Sequence, residues 1–406
     1  MVTTFYPPYH FGGDAVFLYR LTEALAERGH AVDVIHSVDA YRLQHPAEPE
    51  VAFSHHPNVT RHLIQTNKPM LSALAAHQLG RPAVYGRKVR DLLAKGQYDV
   101  IHYHNISLMG GPGVLRYGRA LKLYTSHEYW LICPTHVLFT FNREACVERK
   151  CIRCTLHSRR PLQFWRYTGW VERCLREVDH LITPSRFALE QLRAQGVKCP
   201  MQALPYFVPI PPAASEAKEL QKNGRPYFLF VGRLEKLKGV QDLIPLFSGY
   251  READLIIVGN GDYAPQLRAQ AEGLDHVRFL GAVHPSAIGE LYRGAIALLA
   301  PSLCYETFGL IAAEAFAHGA PVIARRIGAL AEVVEQSGGG YLFDTIEECR
   351  EKMELLRTEP GLRATLGARG RRAVEENWTA EVHLTRYLAL VRSLLAERAE
   401  TTASIS

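Results

Sequence analysis

The sequence predicts an α/β protein built from two doubly wound domains, on three observations. Short apolar runs alternate with helical stretches along the whole chain, the pattern of parallel sheets with helices on both faces. The alternation breaks once, at the Pro-rich crossing LPYFVPIPPAA with Pro205, Pro209, Pro211 and Pro212, and then begins again. The 406 residues are also too many for one ordinary domain.

The elements follow in order. MVTTFYPPYHFGG reads as the end of a strand running into a Pro and Gly loop. Either Met1 lies inside that first strand, with natural residues preceding it, or the strand is short and edge-like. GDAVFLYRLTEALAERGH has apolar residues at helical spacing and ends at Gly29. AVDVIHS is a strand, VYGRKVRDLLAKGQY a helix, and DVIHYHN, KLYTSH and HLITPS are further strands before the helix FALEQLRAQGV. After the crossing, the strands PYFLFVG, DLIIVG, VRFLG, IALLAPS and PVIA alternate with the helices DLIPLFSGY, APQLRAQAEG and AIGELYRGA. NWTAEVHLTRYLALVRSLLAERA is an amphipathic helix. The expected organisation is therefore a Rossmann-like domain over 1–206, a linker over 207–224, and a second Rossmann-like domain over 225–376. A helix over 377–399 packs back toward the first domain, and 400–406 is a polar, disordered tail. Open α/β sheets bind ligands outside the carboxyl ends of their strands, so a cleft between the domains is the expected site.

Composition narrows the function classes. With 47% hydrophobic and 22% charged residues the chain is an ordinary globular one. A net charge of +6 without a long basic run is too weak for nucleic acid, but suits an anionic ligand or an anionic membrane surface. No apolar run approaches the roughly 20 residues of a membrane span, and no charged-then-apolar leader follows Met1. A cytoplasmic protein is expected, with its eight cysteines as thiols or metal ligands.

ETFGLIAAEAFAHGAPVIA (306–324) sets Glu306 and Glu314 eight positions apart around the turn Thr307-Phe308-Gly309. A helix is expected from Phe308 or Gly309 to Gly319, with Pro321 just beyond. The backbone N–H groups of 307–310 are then the open donors of a helix start and favour an anion such as a phosphate. Glu314 lies among Ala312, Ala313, Ala315, Phe316 and Ala317, so it is expected to be largely buried, with a ribose diol as a suitable partner. The plainer alternative is a glutamate on a solvent-facing stripe. VGRLEKLKG places Arg233 and Lys238 just after a strand, where a fork and a point charge meet a diphosphate; surface cations on a loop are the plainer alternative. The Gly turn in VGNGD and the run FLG (279–281) are weak signals alone.

Arg233 with Lys238, the Gly259 turn, Phe279-Leu280-Gly281, Glu306 and Glu314 occur in that order at strand ends of one sheet. With this constellation the chain resembles the family 4 glycosyltransferases, retaining enzymes of the GT-B fold, over essentially its full length. GGDAVFLYRLTEALAERGHAVDVI, DVIHYHN, LYTSHEYW and VDHLITPSRFALEQL are similar to that family's first domain, and ETFGLIAAE to its Glu-x7-Glu signature. The resemblance implies that Arg233 and Lys238 grip the donor diphosphate and that Glu306 faces the donor sugar. It further implies that the amides of Phe308, Gly309 and Leu310 bind sugar and phosphate, and that Glu314 holds the ribose. By the same resemblance Gly281 and Ala282 would form a wall against the base. Gly12 and Gly13 let a loop approach donor and acceptor, and His127 stands near the reacting sugar. The implied reaction moves a sugar from a nucleotide-diphosphate sugar, with retention, to a glycan, lipid-linked or small-molecule acceptor. The leaving phosphate oxygen takes the acceptor proton, so the protein positions groups and stabilises charge. Arg233 and Lys238 fill a cation's role and no paired-Asp motif stands out, so no catalytic metal is expected. Two other readings stay open: another GT-B nucleotide-sugar enzyme such as an epimerase, and a non-catalytic nucleotide-sugar-binding subunit. The four charged site residues argue against the latter.

Further features lie outside that constellation. His102 and His104 alternate on one strand and share a face; cleft-lining or core histidines explain them more simply than a metal. RRPLQFWRYTGWVERCLREV mixes Arg159, Arg160 and Arg166 with Trp165, Tyr167 and Trp170. Such a mixture fits peripheral contact with an anionic membrane, or equally a solvated helix with a packed aromatic face. Cys174, Cys199, Cys304 and Cys349 show no ligand spacing. Cys133, Cys146, Cys151 and Cys154, spaced C-x12-C-x4-C-x2-C within the insertion-like segment 133–154, predict a structural zinc beside His127. Arg149, Lys150 and Arg153 would help stabilise the thiolates. An iron–sulfur cluster, two disulfides and four unlinked thiols are the alternatives.

Overall fold

The computed structural model describes residues 1–43, 45, 47–49, 52–211 and 225–403. Most of the expected linker, 212–224, and the last tail residues, 404–406, lie outside the described residues. The chain divides into two compact units. Unit 1 comprises Met1–His136, Lys150–Leu204 and His383–Ser406; unit 2 comprises Val137–Arg149 and Pro205–Val382.

Fifteen strands occur among the described residues. They are β1 (Val2–Thr3), β2 (Val32–Ser37), β3 (Val59–Ile64), β4 (Val100–Tyr103), β5 (Leu121–Thr125), β6 (Phe139–Thr140), β7 (Glu144–Ala145), β8 (His180–Thr183) and β9 (Met201–Ala203). In the second half come β10 (Tyr227–Val231), β11 (Asp254–Val258), β12 (Val277–Gly281), β13 (Leu298–Ala300), β14 (Val322–Arg325) and β15 (Gly340–Phe343). Unit 1 holds a seven-stranded sheet in the order β3-β2-β1-β4-β5-β8-β9, and unit 2 a six-stranded sheet in the order β12-β11-β10-β13-β14-β15. Neighbours in both sheets run parallel. β6 and β7 form a separate antiparallel hairpin.

Both orders reverse direction once, between β1 and β4 and between β10 and β13. Such a switch point opens a crevice at the carboxyl ends of the flanking strands, where doubly wound sheets take ligands. The strands are apolar because helices cover both faces: every residue of β10 (YFLFV) and β11 (DLIIV) is buried. The unit 2 core gathers Phe228, Phe230, Ile244, Phe247, Leu255, Ile257, Leu299 and Ile323. In unit 1 the helix Gly12–Glu27 buries Phe17, Leu18, Leu21 and Leu25 at helical spacing.

Several boundaries differ from expectation. The helix Ala380–Ala403 runs past Glu400, so the polar tail is helical as far as it is described. Its buried stripe, His383, Leu384, Tyr387 and Val391, belongs to unit 1. Residues 137–149, expected within the first domain as part of the cysteine-rich insertion, group with unit 2. β3 and the helix Pro69–Leu79 lack the apolar periodicity that would reveal them; the residues of β3 are half-buried or exposed until Ile64.

Candidate functional site

The site in unit 2 is built on its switch point. The loop after β10 carries Arg233 and Lys238, and the loop after β13 carries Ser302, Cys304 and Glu306. Lys238 Nζ donates to Glu306 Oε1 at 2.6 Å, and Ser302 Oγ donates to the same oxygen at 2.9 Å. Both ion-pair partners keep about a fifth of their side-chain surface exposed (19% and 22%), so the pair is held yet reachable. Burial opposes ionisation of Glu306, but Lys238 and the Ser302 hydroxyl outweigh it and hold the carboxyl below its usual range. Burial likewise opposes the Lys238 charge, and Glu306 more than offsets it, raising the ammonium above its usual value. Burial pushes the neighbouring Cys304 thiol up to about 12, so it is a neutral lining group. Arg233 is more exposed, its Nη1 2.6 Å from Glu235 Oε1.

Backbone contacts fix these loops. Gly232 N donates to Val258 O at 3.0 Å, Gly259 N to Gly281 O at 2.8 Å, and Leu303 N to Leu237 O at 2.8 Å. Gly259 has φ 131°, and a Cβ there would lie 1.9 Å from the Gly232 carbonyl oxygen, so only glycine fits. Gly281 ends β12 half-buried, with Ala282 exposed beside it. At the Thr307-Phe308-Gly309 turn, Gly309 also has φ 131° and opens the helix Leu310–Ala317. Phe308 anchors the turn, its ring edge-on to Tyr206 at 5.4 Å and to Trp378 at 5.8 Å.

Glu314 corrects an expectation: it is half-buried, not largely buried. Ala312, Ala313, Ala315, Phe316 and Ala317 fill the inward face. Leu310, Ile311, Glu314 and His318 form the half-exposed stripe, at the i, i+1, i+4, i+8 spacing of one helix face. The alanines reflect close packing of the opposite face rather than a buried carboxylate.

The corresponding switch point in unit 1 has a different chemistry. Gly12 and Gly13, after β1, are exposed at the start of the helix Gly12–Glu27. The Asn105 side-chain amide donates to the Asp14 carboxylate, tying the loop after β4 to that helix. His104 follows β4 and His127 follows β5, and both are buried. Their facing nitrogens, His104 Nδ1 and His127 Nε2, are 2.9 Å apart. His102 packs against His104 with ring centroids 4.0 Å apart and ring planes tilted by 35°. It contacts Thr125 Oγ1 through Nε2 at 2.7 Å and Tyr387 Oη through Nδ1 at 3.1 Å. Burial pushes His127 down to about 3 and His102 and His104 well below the ordinary imidazole range, so all three are neutral near pH 7. The shared face of His102 and His104 was readable from their alternation. The contact between His104 and His127 was not, because they come from neighbouring strands; the signal would be a histidine closing each of two adjacent parallel strands.

The zinc expectation is corrected. Among the described residues no group of three or more His, Cys, Asp or Glu side chains is placed to hold a metal ion. None of the eight cysteines is joined in a disulfide. Cys133 lies buried with Sγ 3.2 Å from Thr135 Oγ1. The Cys146 thiol instead points to the Glu148 carbonyl at 3.5 Å, and Cys151 and Cys154 open a helix, Cys151–His157. An arginine clamp serves as the staple in unit 1. Arg166 lies 5.0 Å from the Trp130 ring and 4.7 Å from the Trp165 ring, and its Nη1 donates to Trp130 O at 2.7 Å. Trp165 is therefore an inward packing residue, while Phe164 and Tyr167 stay outside at 70% and 54% exposure.

Comparison with known proteins bears on the family and the fold. The family model described as Glycosyltransferase Family 4 matches residues 11–210, and that described as Glycosyl transferases group 1 matches residues 213–373. A phosphatidyl-myo-inositol mannosyltransferase of Mycobacterium leprae is 28% identical over 82% of this chain and 81% of its own length. A D-inositol 3-phosphate glycosyltransferase of Kribbella flavida is 26% identical over 95% of this chain and 92% of its own. Among solved structures, sucrose-phosphate synthase from Thermosynechococcus elongatus superposes with a TM-score of 0.73 at 21% identity, covering 98% of this chain and 100% of that one. Anabaena HepE in complex with UDP-glucose superposes with a TM-score of 0.66 at 19% identity, covering all of both chains. Two Rossmann-type sheets, each with its chemical groups at the switch point, and family models that together span residues 11–210 and 213–373 lead to one assignment: the chain belongs to the family 4 glycosyltransferases and has the GT-B fold.

Proposed function

We propose that this glycosyltransferase moves a sugar from a nucleotide-diphosphate sugar to a glycan, lipid-linked or small-molecule acceptor, with retention at the anomeric carbon and without a catalytic metal. The observation that carries the reading is the Lys238–Glu306 pair, with Ser302, at the unit 2 switch point. In the proposed complex Lys238 and Arg233 take the diphosphate, and the Phe308, Gly309 and Leu310 amides take sugar and phosphate oxygens. Glu306 faces the sugar and Glu314 the ribose diol, with Gly281 and Ala282 against the base. Gly12, Gly13 and His127 serve the reacting sugar. As the anomeric C–O bond to the phosphate breaks, the acceptor oxygen bonds on the same face and its proton passes to the leaving phosphate. The half-exposed position of Glu314 supports its role, because a ribose must reach the carboxylate. The relatives named as a phosphatidyl-myo-inositol mannosyltransferase and a D-inositol 3-phosphate glycosyltransferase, and HepE with UDP-glucose, support donor and acceptor classes of this kind. The test is a thermal-shift panel of UDP, GDP and ADP with their sugar derivatives, followed by hydrolysis and transfer assays on the best binder. Equal, unshifted melting across the panel overturns the reading.

A second element concerns the acceptor. No helix of the described residues is long and apolar enough to cross a membrane. Phe164 and Tyr167 are nonetheless exposed beside the helix Pro69–Leu79, whose Met70, Leu71 and Leu74 are 72%, 55% and 48% exposed. The Trp165 Nε1 bond to His77 O, 2.8 Å, joins the two segments, and Arg159 and Arg160 are exposed nearby in sequence. This apolar and basic surface supports peripheral contact with an anionic membrane at the inner face of the cell. Co-sedimentation with anionic vesicles, weakened in a Met70→Ser/Phe164→Ser variant and absent with neutral vesicles, is expected. Binding that ignores both changes overturns it.

A further inference from the structure

The buried imidazoles of unit 1 carry an inference beyond the roles assigned above, resting on the reading of His127 as a group serving the donor sugar. His104 has two contacts of different kinds. Its Nδ1 faces His127 Nε2 at 2.9 Å, and its Nε2 faces the Met1 thioether sulfur at 3.4 Å. A thioether only accepts, and a neutral imidazole has one N–H and one lone pair. If His104 carried its proton on Nδ1, it would donate to His127 but point a lone pair at sulfur. With the proton on Nε2, His104 donates weakly to sulfur and its Nδ1 accepts the His127 Nε2–H. Only this arrangement satisfies both contacts. Protonating either ring to relieve the choice is disfavoured, because both are buried.

We propose that His104 is a positioning residue: its Nδ1 accepts the His127 Nε2–H and so fixes His127 as the tautomer whose Nδ1 is an acceptor, the complement of a donor-sugar hydroxyl. The other tautomer would present an N–H there, to which the hydroxyl could only act as acceptor. His102 packs against His104, its ring tilted by 35° at 4.0 Å, but its two nitrogens contact Tyr387 and Thr125 and do not set the proton's place on His104. His104 therefore acts on His127 by direction, while His102 and Tyr387 act on His104 by packing.

The experiment uses the full chain labelled with 15N-histidine, with His127→Gln identifying the His127 resonances. Long-range 1H–15N correlations then read its tautomer in the parent, in His104→Phe, which keeps a ring but removes the acceptor, and in His104→Asn. The Asn Oδ1 stands close to the position of the lost Nδ1 and restores an acceptor. Expected are the Nε2–H tautomer in the parent, a mixture or reversal in His104→Phe, and recovery in His104→Asn. Hydrolysis of UDP-glucose and GDP-mannose, whichever the parent turns over, is expected to fall on the order of ten-fold in kcat for His104→Phe with KM little changed, and to recover in His104→Asn. A role in packing alone would lower the melting temperature of His104→Phe without moving the tautomer. An Nδ1–H tautomer in the parent, or one tautomer shared by all three proteins, overturns the proposal, and the parent spectrum decides this even if His104→Phe fails to fold. A tautomer pattern as expected, with hydrolysis unchanged in His127→Ala, overturns instead the catalytic reading of His127.

Discussion

The two switch points are the same topological feature with opposite chemistry. In unit 2 the strands on either side deliver full charges, Lys238 and Glu306, with Arg233 beside them. In unit 1 they deliver imidazoles that burial keeps neutral, His102, His104 and His127. A charged site meets a charged ligand and depends on Coulomb attraction, which falls with exposure and salt. A neutral site reads hydroxyls and depends on which atom holds a proton. The same topological feature thus carries a charged site in one unit and a neutral one in the other, and the distinction lies in a handful of loop residues.

That contrast can be broken most decisively at Lys238. Lys238→Ala removes the cation and leaves Glu306 and the incoming phosphates to repel one another. Nucleotide affinity is expected to fall by about 2–5 kcal/mol with melting temperature little changed, and Glu314→Ala to fall in the same direction. Calorimetric titration with UDP and GDP checks both, and parent-like affinity in the two variants removes the charged site from the account. His127→Ala tests the neutral side: turnover is expected to drop by about a hundred-fold, with nucleotide affinity held, since the loss is in the reacting complex. A variant that loses affinity and keeps turnover would invert the assignment of the two units.

Acid separates the units further. A histidine whose folded pKa lies below its unfolded value of about 6.5 binds fewer protons folded than unfolded. Its contribution to stability is complete above about pH 6.5 and is lost as pH falls toward the folded pKa. His127 and His36, both pushed down to about 3, and His102 and His104 all lie in unit 1. Each takes away up to about 1.4 kcal/mol per pH unit below 6.5. Glu306, held below its usual range, weakens unit 2 only as pH drops below about 4.3 and through its folded pKa. Unit 1 is expected to open first on acidification. Trp130, Trp165 and Trp170 lie in unit 1 and Trp378 in unit 2, so tryptophan fluorescence followed from pH 7 to 4 reports mainly on unit 1; a single transition below pH 4 counts against this order. The smallest effect expected is none: EDTA should leave transfer unchanged, and activity that vanishes and returns with magnesium would assign the cation's role to a metal.

What the sequence made legible was mostly periodic. VRFLG was read as a strand and β12 spans the same five residues, Val277–Gly281; ETFGLIAAE opened a helix within two residues of Leu310. Strand-end positions of Arg233, Lys238, Glu306 and His127 followed, because a turn after an apolar run lands at the sheet's carboxyl edge. Pairings were not legible. Lys238 and Glu306 are 68 residues apart, and only the parallel pairing of β10 with β13 brings their loops together. Glu314 among alanines looked buried because a one-dimensional neighbourhood hides which helix face each neighbour occupies. The cysteine spacing failed for a related reason: Cys146 follows a hairpin that groups with unit 2, while its partners in the pattern group with unit 1.

Unit 1 is assembled from three separate stretches of chain, the last beginning at His383. Ribosomes deliver that stretch only after unit 2 is complete. Tyr387, which contacts His102, and His383, whose ring meets Phe17 edge-on at 5.4 Å, are made after all of unit 2. During synthesis the charged half of the molecule can therefore mature while the histidine array still waits for its final wall. A nascent chain stalled before residue 380 would carry Lys238 and Glu306 in unit 2 without the third stretch of unit 1, so the histidine array of unit 1 is finished later than the ion pair of unit 2.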